Sequence, residues 1–166
     1  LDLGDRCIWY RGIPSFPTAY NNNYQIFQTP DFVAIVQEHI HDVRFIPLDG
    51  RPHVGQHIRQ WNGDSRGHWE GETLVIETKN FLRETNFSGS SKDTHLIERF
   101  TRIDPDTAAY EFTIEDPNNY TRPWTVLIPF RRTDGPLFEY ACHEGNYAMA
   151  NMLSGARENE MATATK

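Results

Sequence analysis

Residues 142–144 read Cys-His-Glu, a thiol, an imidazole and a carboxylate in a row. Three chemistries are open to such a triplet: a nucleophilic Cys142 with His143 as its base, a metal site, or a strand end tied elsewhere by its sulfur. Neighbours on a strand point to opposite faces, which works against a Cys142–His143 pair and leaves His143 and Glu144 open.

Carboxylates offer a second source of chemistry. Glu38, Glu98, Glu111 and Glu139 lie in apolar stretches where alternation must turn some of them inward. A carboxylate in a dry interior is driven to its neutral form unless an arginine pairs with it. Arg44, Arg99, Arg122 and Arg131 are the available partners. Two arrangements follow. Either the Arg–Glu pairs lie on solvent-facing strand positions, or an interior acid–base set exists. In the second case Glu38 or Glu139 is the base, His41 or His143 the proton partner, and Arg44 an anion binder.

The seven histidines are 39, 41, 53, 57, 68, 95 and 143. His39 and His41 share a face if that stretch is a strand, and His53 and His57 share one if theirs is helical. Neither pair sits in a zinc-protease pattern or beside a cysteine ligand cluster, so a turn with backbone-bonded His and Asp is the expectation, with no metal or cofactor. The four Trp, seven Tyr and ten Phe supply core. Trp61, Trp69 and Tyr110 are the candidates for lining a ligand pocket. Trp61 stands out because it lies in a long polar loop.

The segments that must position these groups are short and alternating. Strands are predicted at 24–29, 32–38, 43–48, 68–78 with a bulge at Gly71, 94–103, 108–116, 122–132 and 137–141. Turns at Pro30-Asp31, Asp49-Gly50, 104–107 and Asp134-Gly135-Pro136 separate them, and 54–67 reads as a long loop. About eight antiparallel strands suit a lipocalin-like closed barrel large enough for one small ligand, or a two-sheet sandwich. Met149, Met152, Leu153 and Ala156 fall on one face of a short C-terminal helix, expected over 144–157 and either packed on the β body or plugging one mouth of the barrel. Residues 1–23 form a Pro-rich arm. Residues 158–166 form a polar tail whose alternation could add a strand to a neighbour's sheet edge.

A single domain accounts for the 166 residues. The net charge of −7 and the scattering of the arginines among acids leave no basic stripe for nucleic acid. No apolar run approaches the ~20 residues needed to span a bilayer. A chain starting at Leu1 without a leader pattern is expected to be a processed product or a fragment. Asn86 and Asn119 head N-x-S/T tripeptides and mark surface turns.

The stretches IPLDGRPH, WNGDSRGHWEGETLVIETKNF, ERFTRID, IEDP, TRPWTV and FEYACHEGNY together resemble a large family of exported bacterial proteins without an assigned activity, over roughly Cys7 to Arg157. The resemblance implies an all-β domain and a periplasmic or extracellular address. In that compartment an even cysteine count reads as a disulfide between Cys7 and Cys142, with free thiols as the alternative. The functional expectation is binding of a small organic molecule, sugar-like or aromatic, with or without metal-independent acid–base catalysis. The alternative is a subunit of a homo-oligomeric or fibrillar assembly joined through its terminal segments.

Overall fold

The computed structural model describes residues 3–9, 12–82, 87 and 89–164. Eight strands occur: β1 (Tyr24–Gln28), β2 (Phe32–Gln37), β3 (Val43–Pro47), β4 (Asp64–Glu70), β5 (Thr73–Lys79), β6 (His95–Arg102), β7 (Thr107–Glu115) and β8 (Trp124–Arg131). A helix, α1 (Tyr147–Ala164), follows. The strands form two antiparallel sheets in simple sequential order, β1-β2-β3 and β4-β5-β6-β7-β8.

Alternation explains the layers. In β2 every second residue is buried, including Val33 and Ile35. In β6 Leu96, Glu98 and Phe100 point inward, and in β7 Tyr110, Phe112 and Ile114 do so. Side chains on a strand alternate faces, so each strand contributes one row to the space between the sheets. Those rows, with Ile46, Leu74 and Ile76, make a single apolar core. Burying a side chain such as Phe112 or Ile76 stabilises by about 1.5–3 kcal/mol.

The architecture is thus an open two-sheet arrangement, not the closed barrel. β1 and β8 each have a ladder partner on one side only, as do β3 and β4. Residues 48–63 carry the chain from one sheet to the other without a hairpin. β3 still approaches β4 closely. A Cβ on Gly67 of β4 would lie 2.7 Å from Leu48 Cδ2 and 2.8 Å from Ile46 Cγ2, so only glycine lets the sheets meet there.

Four sequence expectations change. The predicted strand at 68–78 is a hairpin. Gly71 has φ +61° and with Glu72 reverses the chain, and 64–67 belong to β4 instead of a loop. A positive φ is where glycine costs least, so it forms a turn here and not a bulge. Residues 137–141 are not a strand. The helix runs to Ala164, so residues 158–164 continue it and are not an alternating tail. Ala, Met and Glu favour helix at these positions, and Asn146 Oδ1 caps the first turn by accepting from Met149 N at 3.3 Å. Finally, the helix neither packs on the β body through a buried face nor plugs it, because none of its residues is buried.

Cys7 and Cys142 are joined in a disulfide across a sequence separation of 135. It ties the N-terminal arm to the segment after β8. The arm itself enters the core, where Ile13 is buried. Asn119 lies in an exposed turn and its amide donates to Asp116. Asn86 lies outside the described residues.

Candidate functional site

The most polar part of the interior is built from five strands and the arm. Arg44 of β3 reaches across to the larger sheet, where Nη2 donates to Glu98 Oε2 of β6 and, at 2.7 Å, to Thr78 Oγ1 of β5. Its Nε donates to Ser65 Oγ of β4 at 2.9 Å. The other oxygen of Glu98 accepts from the Tyr110 hydroxyl of β7 at 2.8 Å. That hydroxyl in turn accepts from the Ser15 backbone N–H at 2.9 Å. Every member is buried. Burial first, then the neighbouring Glu98 charge and its hydrogen bond, hold the Tyr110 phenol well above its ordinary pKa. Tyr24 is also raised, by burial above all, with Ser15 opposing and Glu98 adding.

This network corrects the expected role of Arg44. Its guanidinium is satisfied by Glu98, Ser65 and Thr78, so it does not await an anion. Tyr110 likewise has no exposed surface with which to line a pocket and instead holds Glu98. Glu98 belonged to the candidate carboxylates, and its inward position between Leu96 and Phe100 is the signal that singles it out.

Beside this interior, a cleft of about 1340 Å³ opens along the seam where β1 and β8 face each other unpaired. Its floor is apolar, from Val33, Ile35, Leu74, Phe100, Ile128 and Phe130. Tyr24 of β1 and Phe130 of β8 stack across the seam, with ring centroids 5.3 Å apart and planes 18° apart. Trp69, 44% exposed, is among the residues that line the cleft. Trp61 is also exposed but lies elsewhere, in the loop between β3 and β4.

The remaining acid–base candidates do not assemble into a reaction centre. Glu38 is buried and Oε2 accepts from Asn23 N at 3.2 Å and Asn23 Nδ2 at 2.8 Å, which pins the arm to the end of β2. His41 is exposed in a short 3-10 turn, His39–His41, and Glu139 and His143 are exposed beyond β8. Among the described residues no side-chain hydrogen bond or ion pair joins any two of Glu38, His41, Arg44, Glu139 and His143. His39 instead packs against Tyr140, ring centroids 4.5 Å apart and planes tilted by 41°. His53 and His57 do not act as a pair. His53 Nδ1 lies 2.9 Å from Asp64 Oδ2, and the same oxygen accepts from Val54 N at 3.0 Å, so buried Asp64 fastens the loop after β3. Among the described residues no group of three or more His, Cys, Asp or Glu is arranged to hold a metal ion.

The fold is mostly β, two antiparallel sheets followed by one helix, with an open cleft between β1 and β8. No family model, no curated protein and no solved structure matches the chain. Among the described residues no helix is long and apolar enough to cross a membrane.

Proposed function

We propose that this protein binds a small organic molecule in the cleft between β1 and β8. The observation that carries the reading is the cleft itself, an apolar floor reached from an open rim between two unpaired strand edges. Concave, mostly apolar sites with a few polar groups at the margin are where small ligands bind. The reading is one of binding, since the candidate acid–base groups are either spent on structure or dispersed over the surface. A periplasmic or extracellular setting is part of it, supported by the Cys7–Cys142 bond. The test is a methyl-resolved NMR titration with a panel of sugars and aromatic acids. Shifts centred on Ile26, Val33 and Ile128 are expected. Shifts confined to other regions, or none with any compound, would remove the proposal.

A second reading, self-assembly, is favoured by the free edges of β1 and β8 and by the exposed helix α1. Open edges are templates for pairing with another chain. Light scattering across concentrations tests it: a constant protomer mass argues against it.

A further inference from the structure

The two ends of the cleft differ in chemistry. Along the seam the lining is aliphatic and aromatic. At one end the strand register gathers charge: β6 finishes at Arg102, which pairs with Ala108, and Thr107 pairs with Arg131 of β8. The β6–β7 turn and the segment after β8 therefore lie side by side. They place Arg102, Arg131, Arg132, Asp104, Asp106 and Asp134 on the same stretch of cleft lining. None of the six belongs to an ion pair among the described residues. Arg102 donates to the carbonyls of Asp104 and Pro105, and Asp104 Oδ1 accepts from Asp106 N at 2.8 Å. Three guanidiniums and three carboxylates thus sit together without neutralising one another through contact, and Glu72 of the β4–β5 turn adds a fourth carboxylate to the lining, in a chain whose net charge is −7.

A rim with both signs is the complement of a head group with both signs. An apolar slot is the complement of a chain. The lining takes in Ile128–Arg131 of β8 and most of Tyr24–Gln28 of β1, four to five residues that at about 3.3 Å each span roughly 13–16 Å, the length of a medium extended acyl chain. We propose, resting on the small-ligand reading above, that the cleft takes a single-chain zwitterionic amphiphile. Its acyl chain lies along the seam over Val33, Ile35, Ile128 and Phe130. Its phosphate meets Arg131 and Arg132, and its quaternary ammonium meets the carboxylates and the face of Phe138, a favourable contact for such cations.

The experiment is calorimetric titration of the intact, disulfide-bonded protein with decanoyl lysophosphocholine below its micelle concentration. Saturable one-to-one binding is expected. The double variant Arg131→Gln/Arg132→Gln should weaken it about tenfold while leaving binding of the neutral-headed monodecanoyl glycerol unchanged. Ile26 is half-exposed at the free edge, so Ile26→Glu spares the core and should abolish binding of both chains. Head-group dependence without any effect of Ile26→Glu, or chain binding indifferent to the arginines, overturns the assignment. If sugars or aromatic acids bind in the cleft and the lysolipid does not, this inference fails and the small-ligand reading stands. If nothing binds, both fail. A second copy seated in the cleft, seen as a multiple mass by light scattering together with exclusion of the lysolipid, also overturns it.

Discussion

Arg44 of β3 and Glu98 of β6 form one fully buried ion pair that joins the two sheets, and every hydrogen-bonding partner around it comes from a different strand or from the arm. Removing one partner leaves the other charged and dry. Glu98→Ala should therefore cost about 3–5 kcal/mol in urea unfolding. Replacing both together, Arg44→Met with Glu98→Leu, should recover most of that loss. A double variant no more stable than Glu98→Ala would show that the network, not the stranded charge, sets the penalty.

Asp116 gives an acid-side dependence. Burial pushes its carboxyl up, but hydrogen bonds from the Ser91 backbone, Asn119, the Ser91 hydroxyl and Thr94 outweigh this and hold it below its ordinary value. A lowered folded value means a contribution to stability that is complete above the unfolded pKa of about 3.9 and is lost as pH falls through the folded one. The stability gap between the protein and Asp116→Asn should be constant above about pH 5 and shrink below pH 4. Urea midpoints measured from pH 3 to 7 read this directly; a gap that widens on acidification would contradict it.

Reduction of Cys7–Cys142 should destabilise strongly. Closing a loop of 135 residues limits the unfolded chain, with an upper contribution of about 5 kcal/mol in the chain-entropy account. The paired Cys7→Ser/Cys142→Ser variant should match the reduced protein in thermal melts. A melt unchanged by reductant would mean that contacts of the arm, such as Ser15 with Tyr110, already hold it.

Gly67→Ala should cost about 1–3 kcal/mol, because the added methyl meets Ile46 and Leu48 from the opposite sheet. The same change at Gly145, where a Cβ would meet nothing within 4 Å, is the control. Equal melting temperatures for the two variants would rule out the close approach of β3 to β4.

Deleting α1 from Tyr147 onward should leave stability within about 0.5 kcal/mol, as for surface changes in general, since no residue of the helix is buried. A larger loss in chemical unfolding would reveal support that the exposed positions do not suggest.

The strands with clean alternation were readable from the residues alone. β2, β6 and β7 show it, and the hairpin across 104–107 follows from the turn residues between the last two. The β4–β5 hairpin was not, because Gly71 suits a bulge and a turn equally and only its positive φ decides. Residues 137–141 have strand-like composition but join no ladder, and composition does not supply a pairing partner. That some inward carboxylate needs an arginine was legible. Which of four arginines serves Glu98 was not, since that depends on how β3 crosses β6. The cleft was not legible at all, because it arises from two strands that fail to pair.

The sulfur bridge also governs how the molecule would bear a load. A pull applied on either side of the bond runs through Cys7 and Cys142 and bypasses both sheets, so the residues between them, separated by 135 in sequence, cannot pay out as slack. Under tension only residues outside the bond, α1 among them, can extend, and the β sheets stay mechanically silent until the cystine is reduced.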